Sequence, residues 1–256
     1  MGSNQTGSFR ANSVNIKVSD CYDLSCEQSR GSVDLILTDP PYNIAVPDRE
    51  ERSKDDYPRN RYTLTQSRAP WDINFKLSVD LIKEFFTILK DGGTAIIFYD
   101  IYKLETLTQL VKRAGFRGTR IIYWVRNNPT PANTKTSYLI NSVEVALVCV
   151  KGYRPTFNSE YHKGVFHYPS QNRRILKTTH PCVKPINLLK DLIQLHSKEG
   201  EIVFDPFVGS GSNAIACMET GRRFIGGDIN EDYVSAAAVN YELHKRKFLN
   251  SQNNET

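Results

Sequence analysis

The segment Asp39-Pro40-Pro41-Tyr42 carries residue types that can grip an amino group. It follows the apolar run Val33 to Thr38, which is typical of a buried strand, and ligands bind at the carboxyl ends of parallel strands. Asp39 offers a carboxylate acceptor, the Pro40 carbonyl offers a second acceptor on a stiff backbone, and Tyr42 offers a flat ring. Two acceptors beside a ring suit an exocyclic amine on a flat heterocycle, turning its lone pair toward an electrophile. The plainer alternative is an Asp-Pro turn followed by a surface tyrosine.

A glycine-rich segment follows a second apolar run near the C-terminus: Phe204-Asp205-Pro206-Phe207-Val208-Gly209-Ser210-Gly211-Ser212. Gly209 and Gly211 let the backbone turn sharply, so that a ligand approaches the free N–H groups of a helix start. Asp228 comes about twenty residues later, after another predicted strand, where a carboxylate accepts hydrogen bonds from ribose hydroxyls. The segment therefore predicts a nucleoside cofactor. Its match to the GxGxxA fingerprint of dinucleotide sites is weak by itself.

Short β-rich runs alternate with helical patterns along the chain, which indicates an α/β fold with a doubly wound, mostly parallel sheet. The two runs 121–125 and 143–150 have no helical pattern between them and predict an antiparallel edge hairpin. The seven predicted strands are Val14 to Val18, Val33 to Thr38, Thr94 to Tyr99, Ile121 to Val125, Val143 to Val150, Glu201 to Phe204 and Arg223 to Gly227. The predicted helices are Phe75 to Lys90, Lys103 to Ala114, Pro185 to Ser197, Gly211 to Thr220 and Asp232 to Lys247.

Composition is that of an ordinary globular domain. The 256 residues are 39% hydrophobic and 24% charged, which excludes disordered, collagenous and coiled-coil classes. We expect one domain over 13–247, with flexible tails at 1–12 and 248–256. No apolar run approaches the roughly 18 residues that a membrane span needs, so we expect a soluble intracellular protein, cytoplasmic if prokaryotic. The five cysteines lack a CxxC pair and no recognised metal-ligand spacing is present, which predicts reduced thiols and no metal.

Positive charge is concentrated in two stretches without any acidic residue, Thr106 to Val143 and Tyr161 to Lys190, although the net charge is only +5. Aromatic residues accompany the cations: Tyr123, Trp124, Tyr138, Tyr153, Phe157, Tyr161, Phe166 and Tyr168. Cations for phosphates with rings for unstacked bases are typical of a nucleic-acid surface. A solvated basic face with core aromatics fits these residues equally well. Two long loops, about 45–70 and 127–180, resist assignment.

Taken together, the two motifs resemble those of the amino-methylating DNA methyltransferases that use S-adenosylmethionine. Their order, with the Asp39 motif N-terminal to the glycine segment, resembles the β group of that family. The resemblance covers Asn15 to Tyr241 and implies a Rossmann-like methyltransferase fold. It includes further segments: Trp71-Asp72, Trp124 with Asn127-Asn128-Pro129, and His180-Pro181-Cys182-Val183-Lys184-Pro185.

The resemblance implies roles for individual residues. Asp39 and Pro40 would hold the target amine within the motif that Pro41 completes, and Tyr42 would stack on the flipped base. The implied cofactor residues are Asp20 and Cys21 near the adenine, Asp228 at the ribose, His180 and Lys184 at the methionine end, and Asp205, Phe207, Gly209, Ser210, Gly211 and Ser212 along the turn. The chain departs from relatives in Ser212-Asn213, where two threonines are common, in Asp228, where glutamate is common, and in Cys182-Val183.

Aspartate at position 39 is similar to adenine-N6 enzymes, whereas cytosine-N4 relatives more often carry serine. We therefore expect a site-specific methyltransferase that flips an adenine from double-stranded DNA and methylates N6, with the two long loops facing DNA. Size and family likeness favour a homodimer, and a cognate restriction endonuclease is a candidate partner in a restriction-modification system. The alternatives are a cytosine-N4, RNA or protein-amide methyltransferase, a silent nucleic-acid-binding module and, more remotely, a nicotinamide-dependent oxidoreductase.

Overall fold

An eight-stranded sheet with the order β1-β8-β7-β2-β3-β5-β4-β6 forms the centre of the molecule. The computed structural model describes residues 13–42, 75–129, 141–171, 176, 178, 180 and 183–253. The strands are β1 (Val14–Val18), β2 (Val33–Thr38), β3 (Leu89–Tyr99), β4 (Arg117–Arg126), β5 (Val143–Val150), β6 (Val165–Tyr168), β7 (Ile202–Asp205) and β8 (Arg223–Asp228). The helices are α1 (Cys21–Cys26), α2 (Val79–Ile88), α3 (Leu104–Ala114), α4 (Ile186–His196), α5 (Ser212–Glu219) and α6 (Glu231–Asn253), with a 3-10 turn at Ile101–Lys103.

Strand β5 runs against its neighbours β3 and β4, while the other paired strands run parallel. The carboxyl ends of the parallel strands and the amino end of β5 consequently meet at one edge of the sheet, called the carboxyl edge below. The register of the central strands places Leu35 beside Thr94 on β3 and beside Val203 on β7. The segment that begins at Asp39, after β2, and the glycine-rich segment after β7 therefore lie next to each other.

The sheet is covered on both faces, which explains the continuous burial of β2. Side chains alternate from Leu35 onward, so Leu35 and Leu37 pack on one face and Ile36 packs on the other. An irregularity in the pairing register between Val33 and Leu35 puts Val33 on the same face as Ile36. The first face packs against α4, α5 and α6, and the second packs against α1, α2 and α3. The result is the doubly wound α/β sandwich that the sequence predicts, in which strands buried on both faces are apolar throughout.

The strand predictions differ from the structure in several places, including the start of β4 at Arg117 rather than Ile121. The sheet has eight strands rather than seven, because Val165–Tyr168 pairs in parallel with β4 as an extra strand at the sheet's edge. The hairpin of β4 and β5 is therefore not at the edge. This short strand escaped prediction because four residues show too little periodicity to be distinguished from a loop. Strand β3 also begins earlier than predicted, at Leu89 rather than Thr94.

The helix predictions differ from the structure mainly at the ends. Helix α2 starts at Val79 rather than Phe75, because the Ser78 hydroxyl accepts the Leu81 N–H at 3.1 Å and caps the helix. Helix α6 runs to Asn253 rather than ending at Lys247, so 248–253 is helical and not a tail. The short helix α1, capped by Asp20, was not predicted.

Several predicted features lie outside the described residues: the tail 1–12, the loop at 45–70, Trp71-Asp72, parts of the loop at 127–180, including Tyr138, and Pro181-Cys182. Among the residues that are described, no helix is long and apolar enough to cross a membrane. The same residues contain no group of three or more His, Cys, Asp or Glu side chains that could hold a metal ion.

Candidate functional site

Asp39 lies at the carboxyl edge, directly after β2, and its carboxylate already has two protein partners. The Tyr42 hydroxyl donates to Asp39 Oδ1 at 2.5 Å, and the Lys184 ammonium contacts Oδ2. The adjacent Pro40 is buried and Pro41 is half-buried. Lys103 Nζ donates to the Tyr42 carbonyl at 2.6 Å, which ties the motif to the turn that follows β3. The motif is thus a held structure and not a free Asp-Pro turn.

Tyr42 is half-buried, and its ring has neighbours on more than one side. The Tyr99 ring meets it edge-on with centroids 5.7 Å apart, and Lys184 Nζ lies 5.9 Å from its centroid. Because Tyr99 ends β3, the ring is anchored to the neighbouring strand. An aromatic face fixed beside a carboxylate can support a flat ligand by stacking.

Glu144 extends the charged cluster beyond the motif. Its carboxylate lies 3.2 Å from Lys184 Nζ through Oε2 and 3.5 Å from Arg126 Nη1 through Oε1. Arg126 ends β4, and Glu144 stands at the amino end of the antiparallel β5, so both reach the carboxyl edge. The four side chains Arg126, Glu144, Lys184 and Asp39 therefore form a chain of alternating charge.

The glycine turn, residues 209–212, lies after β7 and begins α5. Gly209 and Gly211 have φ values of +46° and +83°, which L-residues with side chains rarely adopt. The Gly209 N–H donates to Asp228 Oδ2 at 3.1 Å, and the Asn230 N–H donates to Oδ1 at 3.0 Å. The Ser210 and Ser212 hydroxyls lie 2.9 Å apart. Asp228 and the turn thus form one unit, and burial raises the pKa of Asp228.

Asp205 braces the two motifs against each other. Its Oδ1 accepts from the Thr38 hydroxyl at 2.7 Å and from the Phe207 N–H at 3.1 Å. Asn213 Nδ2 donates to Asp205 Oδ2 at 2.7 Å and to the Leu37 carbonyl at 2.9 Å. Burial raises the pKa of Asp205 to about 6, although these hydrogen bonds oppose the shift. Asp205 therefore shapes the site through placement of Phe207 and of the β2 end.

Asp20 and Cys21 lie at the end of β1, beside the end of β8. The Asp20 carboxylate accepts the Tyr22 N–H at 2.7 Å, and the Ser19 N–H donates to the Asp228 carbonyl at 3.0 Å. Burial and the neighbouring Asp20 charge raise the pKa of the Cys21 thiol to about 12, so this thiol is protonated at neutral pH. Cys21 consequently has none of the thiolate character of a nucleophile.

His180 and Lys184, which the resemblance puts at the same end of the cofactor, make different contacts. The His180 ring lies 4.8 Å from the Tyr233 ring, and a Cβ added to Gly209 would lie 3.1 Å from His180 Nε2. His180 therefore lies over the glycine turn, and its place at the methionine end of the cofactor stays a prediction. The Lys184 ammonium instead contacts Asp39 and Glu144 and lies 4.8 Å from the Phe98 ring centroid.

The residues around the turn fit a nucleoside cofactor. Asp228 uses one hydrogen bond on each carboxylate oxygen, which leaves further lone pairs for ribose hydroxyls. Phe207 offers a ring whose edge-on partner is Phe75, with centroids 5.4 Å apart. Gly211 has no room for a side chain, because an added Cβ would lie 2.9 Å from Ala237 Cα. Asp20, Asp228, Phe207 and the turn backbone could hold such a cofactor.

Sequence reasoning missed Glu144, Arg126, Lys103 and the bracing role of Asn213. A signal for Glu144 was present, since it is the acid that ends the acid-free stretch and it opens a strand predicted to be antiparallel. The amino end of an antiparallel strand reaches the same edge as the carboxyl ends of its parallel neighbours. The pairing with Lys184 depends on contacts far apart in sequence and had no local signal.

The basic and aromatic residues that the structure describes are divided between the core and separate exposed positions. Trp124 and Phe166 belong to the core, whereas Tyr153 and Tyr161 are exposed. Arg117 opens β4 at the edge opposite Asp39, where it and Arg120 help to line a cavity of about 540 Å³. The core aromatics and exposed cations fit the solvated basic face with core aromatics, and a nucleic-acid surface stays a prediction.

The fold and site define an α/β class of protein in which a glycine turn that fits a nucleoside cofactor and the Asp39 motif lie on adjacent strands. A family model described as DNA methylase, for N6 and N4 methyltransferases, matches residues 33–239. The chain belongs to this N6/N4 DNA methylase family, which confirms the family predicted from the two motifs.

Curated relatives of the chain are named as type II methyltransferases. Type II methyltransferase M2.DpnII of Streptococcus pneumoniae is 26% identical over 252 residues, covering 91% of each chain. Type II methyltransferase M.HpaI of Haemophilus parainfluenzae is 28% identical over 230 residues, covering 80% of this chain and 67% of that relative.

Two solved structures have a fold similar to that of this chain. M1.HpyAVI in complex with S-adenosylmethionine, the predicted cofactor, matches with a TM-score of 0.64 and 25% identity over 88% of this chain and 98% of that one. The cytosine-N4-specific PvuII DNA methyltransferase matches with a TM-score of 0.68 over 92% and 91% of the two chains. At 15% identity this second likeness shows a shared fold.

Proposed function

We propose that this protein transfers a methyl group from S-adenosylmethionine to the N6 amine of an adenine flipped out of double-stranded DNA. One observation carries the proposal: the amine-binding motif and the glycine turn follow paired strands, with Ile36 of β2 beside Phe204 of β7. The Thr38–Asp205–Asn213 hydrogen bonds lock these strand ends together. An amine held by Asp39 and a cofactor held at the turn would then face each other across adjacent strand ends.

The chain's own groups account for binding and orientation. Asp39 and the Pro40 carbonyl would accept the two N–H groups of the target amine, and the anchored Tyr42 ring would stack on the base. Taking both hydrogens into hydrogen bonds turns the amine lone pair out of the base plane, toward the glycine turn. The bound cofactor supplies an electrophilic methyl group on a sulfonium. Asp228 and the turn backbone would hold its ribose, and Asp20 would lie near its adenine.

Adenine is proposed over cytosine because Asp39 opens the motif, as in adenine-N6 enzymes. Cytosine-N4 remains the second candidate, since the family includes both activities and the PvuII structure is similar in fold. The two target amines have the same hydrogen-bonding groups, so the described side chains suit either base. RNA is a third candidate substrate, which a direct comparison of polymers would test.

Product analysis tests the proposal. A random duplex DNA library, incubated with the protein and S-adenosylmethionine labelled on the methyl group, is digested to nucleosides and separated. We expect labelled N6-methyladenine, and mapping of modified positions would give the recognition sequence. Labelled 4-methylcytosine would replace the adenine proposal with the cytosine one, and label in RNA alone would contradict a DNA substrate.

Asp39→Asn tests the role of the carboxylate with little change in shape. We expect a loss of at least about a hundredfold in kcat, because the amide is neutral and offers only one oxygen acceptor. Asp80→Asn is the control, since Asp80 is an exposed carboxylate on α2 whose partner is Lys83 at 3.2 Å. An Asp39→Asn variant that unfolds at the same temperature and methylates at the normal rate would refute the proposed site.

The likeness to type II methyltransferases suggests two protein partners, a second copy of this chain and a restriction endonuclease. We propose a homodimer on DNA and a cognate restriction endonuclease, as in type II systems. Mass measurement of the protein with and without its mapped duplex tests the first, and a single-chain mass on DNA would contradict it.

A further inference from the structure

Asp39 must accept hydrogen bonds from an incoming amine, yet both of its oxygens have partners in the resting structure. Tyr42 donates to Oδ1 and the Lys184 ammonium contacts Oδ2. An ammonium that stays on Oδ2 would compete with the target amine for that oxygen. When a base enters, the Lys184 ammonium therefore needs a negative partner other than Asp39.

Among the described residues, Glu144 offers an acceptor within reach of Lys184. Glu144 Oε2 lies 3.2 Å from the same Lys184 Nζ. The Lys184 side chain is only 10% exposed and Glu144 is 22% exposed, so water screens and solvates these charges poorly. Moving an ammonium away from Asp39 would be costly if it lost its negative partner, and Glu144 removes that cost because it is already in contact range.

Glu144 is itself held from the other side. Arg126 Nη1 lies 3.5 Å from Glu144 Oε1, and Arg126 is 10% exposed. The guanidinium also lies 5.7 Å from the centroid of the Trp124 ring, whose indole N–H donates to the Tyr168 carbonyl at 2.9 Å. Glu144 is thus held between Arg126 of β4 and Lys184, with one carboxylate oxygen directed at each.

We propose that Glu144 is a positioning residue that takes over the Lys184 ammonium when the target amine binds Asp39. This inference rests on the proposed methyl transfer and assigns no bond making or proton transfer to Glu144. Glu144 frees Asp39 Oδ2 for the amine and keeps Lys184 paired throughout. Arg126 supports Glu144 in that role.

Glu144→Gln is the direct test. The amide keeps the shape but removes the charge, so the Lys184 ammonium remains on Asp39. We expect kcat/KM for the mapped DNA duplex to fall at least about tenfold, while affinity for S-adenosylmethionine stays within about twofold. Glu219→Gln is the matched control, because Glu219 pairs with Lys190 at 2.8 Å between α4 and α5, away from Asp39. It should methylate at the normal rate.

A double-mutant cycle separates positioning from a structural role. If Glu144 acts through Lys184, the double variant Lys184→Met with Glu144→Gln should be no slower than Lys184→Met alone. Additive losses would overturn the inference, and so would a Glu144→Gln enzyme as fast as wild type. A loss of activity fully explained by a lower folded fraction at the assay temperature would also overturn it.

Base extrusion gives a readout that a structural role would not change. A duplex with 2-aminopurine directly beside the mapped target adenine, which keeps its N6 amine, should brighten as the adenine leaves the stack with wild type and Glu219→Gln, and much less with folded Glu144→Gln. Equal brightening with all three proteins would contradict the inference. Absence of methylation by wild type would count instead against the proposed function, so the two failures are distinguishable.

Discussion

At the scale of single residues, the buried Asp205 shows how one carboxylate can hold two strand ends and a helix start in a fixed arrangement. Its oxygens join Thr38 of β2, the Phe207 backbone and Asn213 of α5. Asparagine at 213, one of the departures from related sequences, fits this arrangement because its NH₂ group reaches both Asp205 and the Leu37 carbonyl. A threonine has a single hydroxyl donor and could not make both bonds.

Asp205 should make stability depend on pH in a defined window. Burial raises its pKa from 3.8 to about 6, so between these values the folded protein keeps a proton that the unfolded chain has released. Stability from this group therefore falls as pH rises from about 4 to about 6, by up to about 3 kcal/mol. Asp205→Asn does not titrate. Urea unfolding at several pH values should show that the free energy of unfolding of the variant rises relative to that of wild type across that window. A pH-independent difference between the two proteins would contradict the assignment.

At the scale of elements, the glycine turn depends on the helix behind it. Asn240 of α6 donates to the Ser210 carbonyl at 3.2 Å, and Ala237 lies where a side chain on Gly211 would be. Helix α6 thus shapes the turn as well as covering the sheet. The conformation of the turn therefore depends both on the positive φ of Gly211 and on the packing of the turn against α6.

Gly211→Ala tests this contact against Gly200→Ala. Both glycines have positive φ, +83° and +78°, but an added Cβ at Gly200 meets nothing within 4 Å. We expect Gly200→Ala to cost about 1 kcal/mol for the backbone conformation alone. Gly211→Ala should cost about 2–4 kcal/mol, because the Cβ also collides with the α6 backbone. Thermal unfolding and cofactor titration measure both effects, and equal losses in the two variants would show that the contact with α6 is unimportant.

At the scale of the whole molecule, strand direction decides which charged side chains lie at the carboxyl edge of the sheet and which lie at the opposite edge. The carboxyl edge holds Asp39, Glu144 and Asp228, and the cations Lys103, Arg126 and Lys184 lie among them. Arg117 and Arg120 are exposed at the opposite end of β4. The net charge of +5 therefore says little about which face meets a polyanion.

Salt dependence would locate the DNA-binding face. Affinity for the mapped duplex should fall steeply between about 50 and 200 mM salt, because each phosphate contact releases counterions. In the double variant Arg117→Gln with Arg120→Gln, the slope of log affinity against log salt should not change. A slope shallower by about 2 would mean that both arginines contact phosphates and that DNA also covers the opposite edge.

The sequence by itself determined the family, the doubly wound fold and the order of the two motifs. These follow from short-range information: an apolar run before Asp39, a glycine turn before α5, and glycine stops after helices. Strand ends in a parallel sheet meet at one edge, so motifs at the ends of predicted strands could be brought together without coordinates.

Only the tertiary structure decided the partners of the charged side chains and the place of the extra strand. Lys184 was expected at the cofactor and instead pairs with Asp39 and Glu144, and Asp205 joins β2 to β7 from inside the core. These contacts join residues that lie 40 to 167 positions apart in the sequence. Their geometry depends on strand order, register and burial, which are set by the packing of the whole sheet and leave no periodic signal in the local sequence.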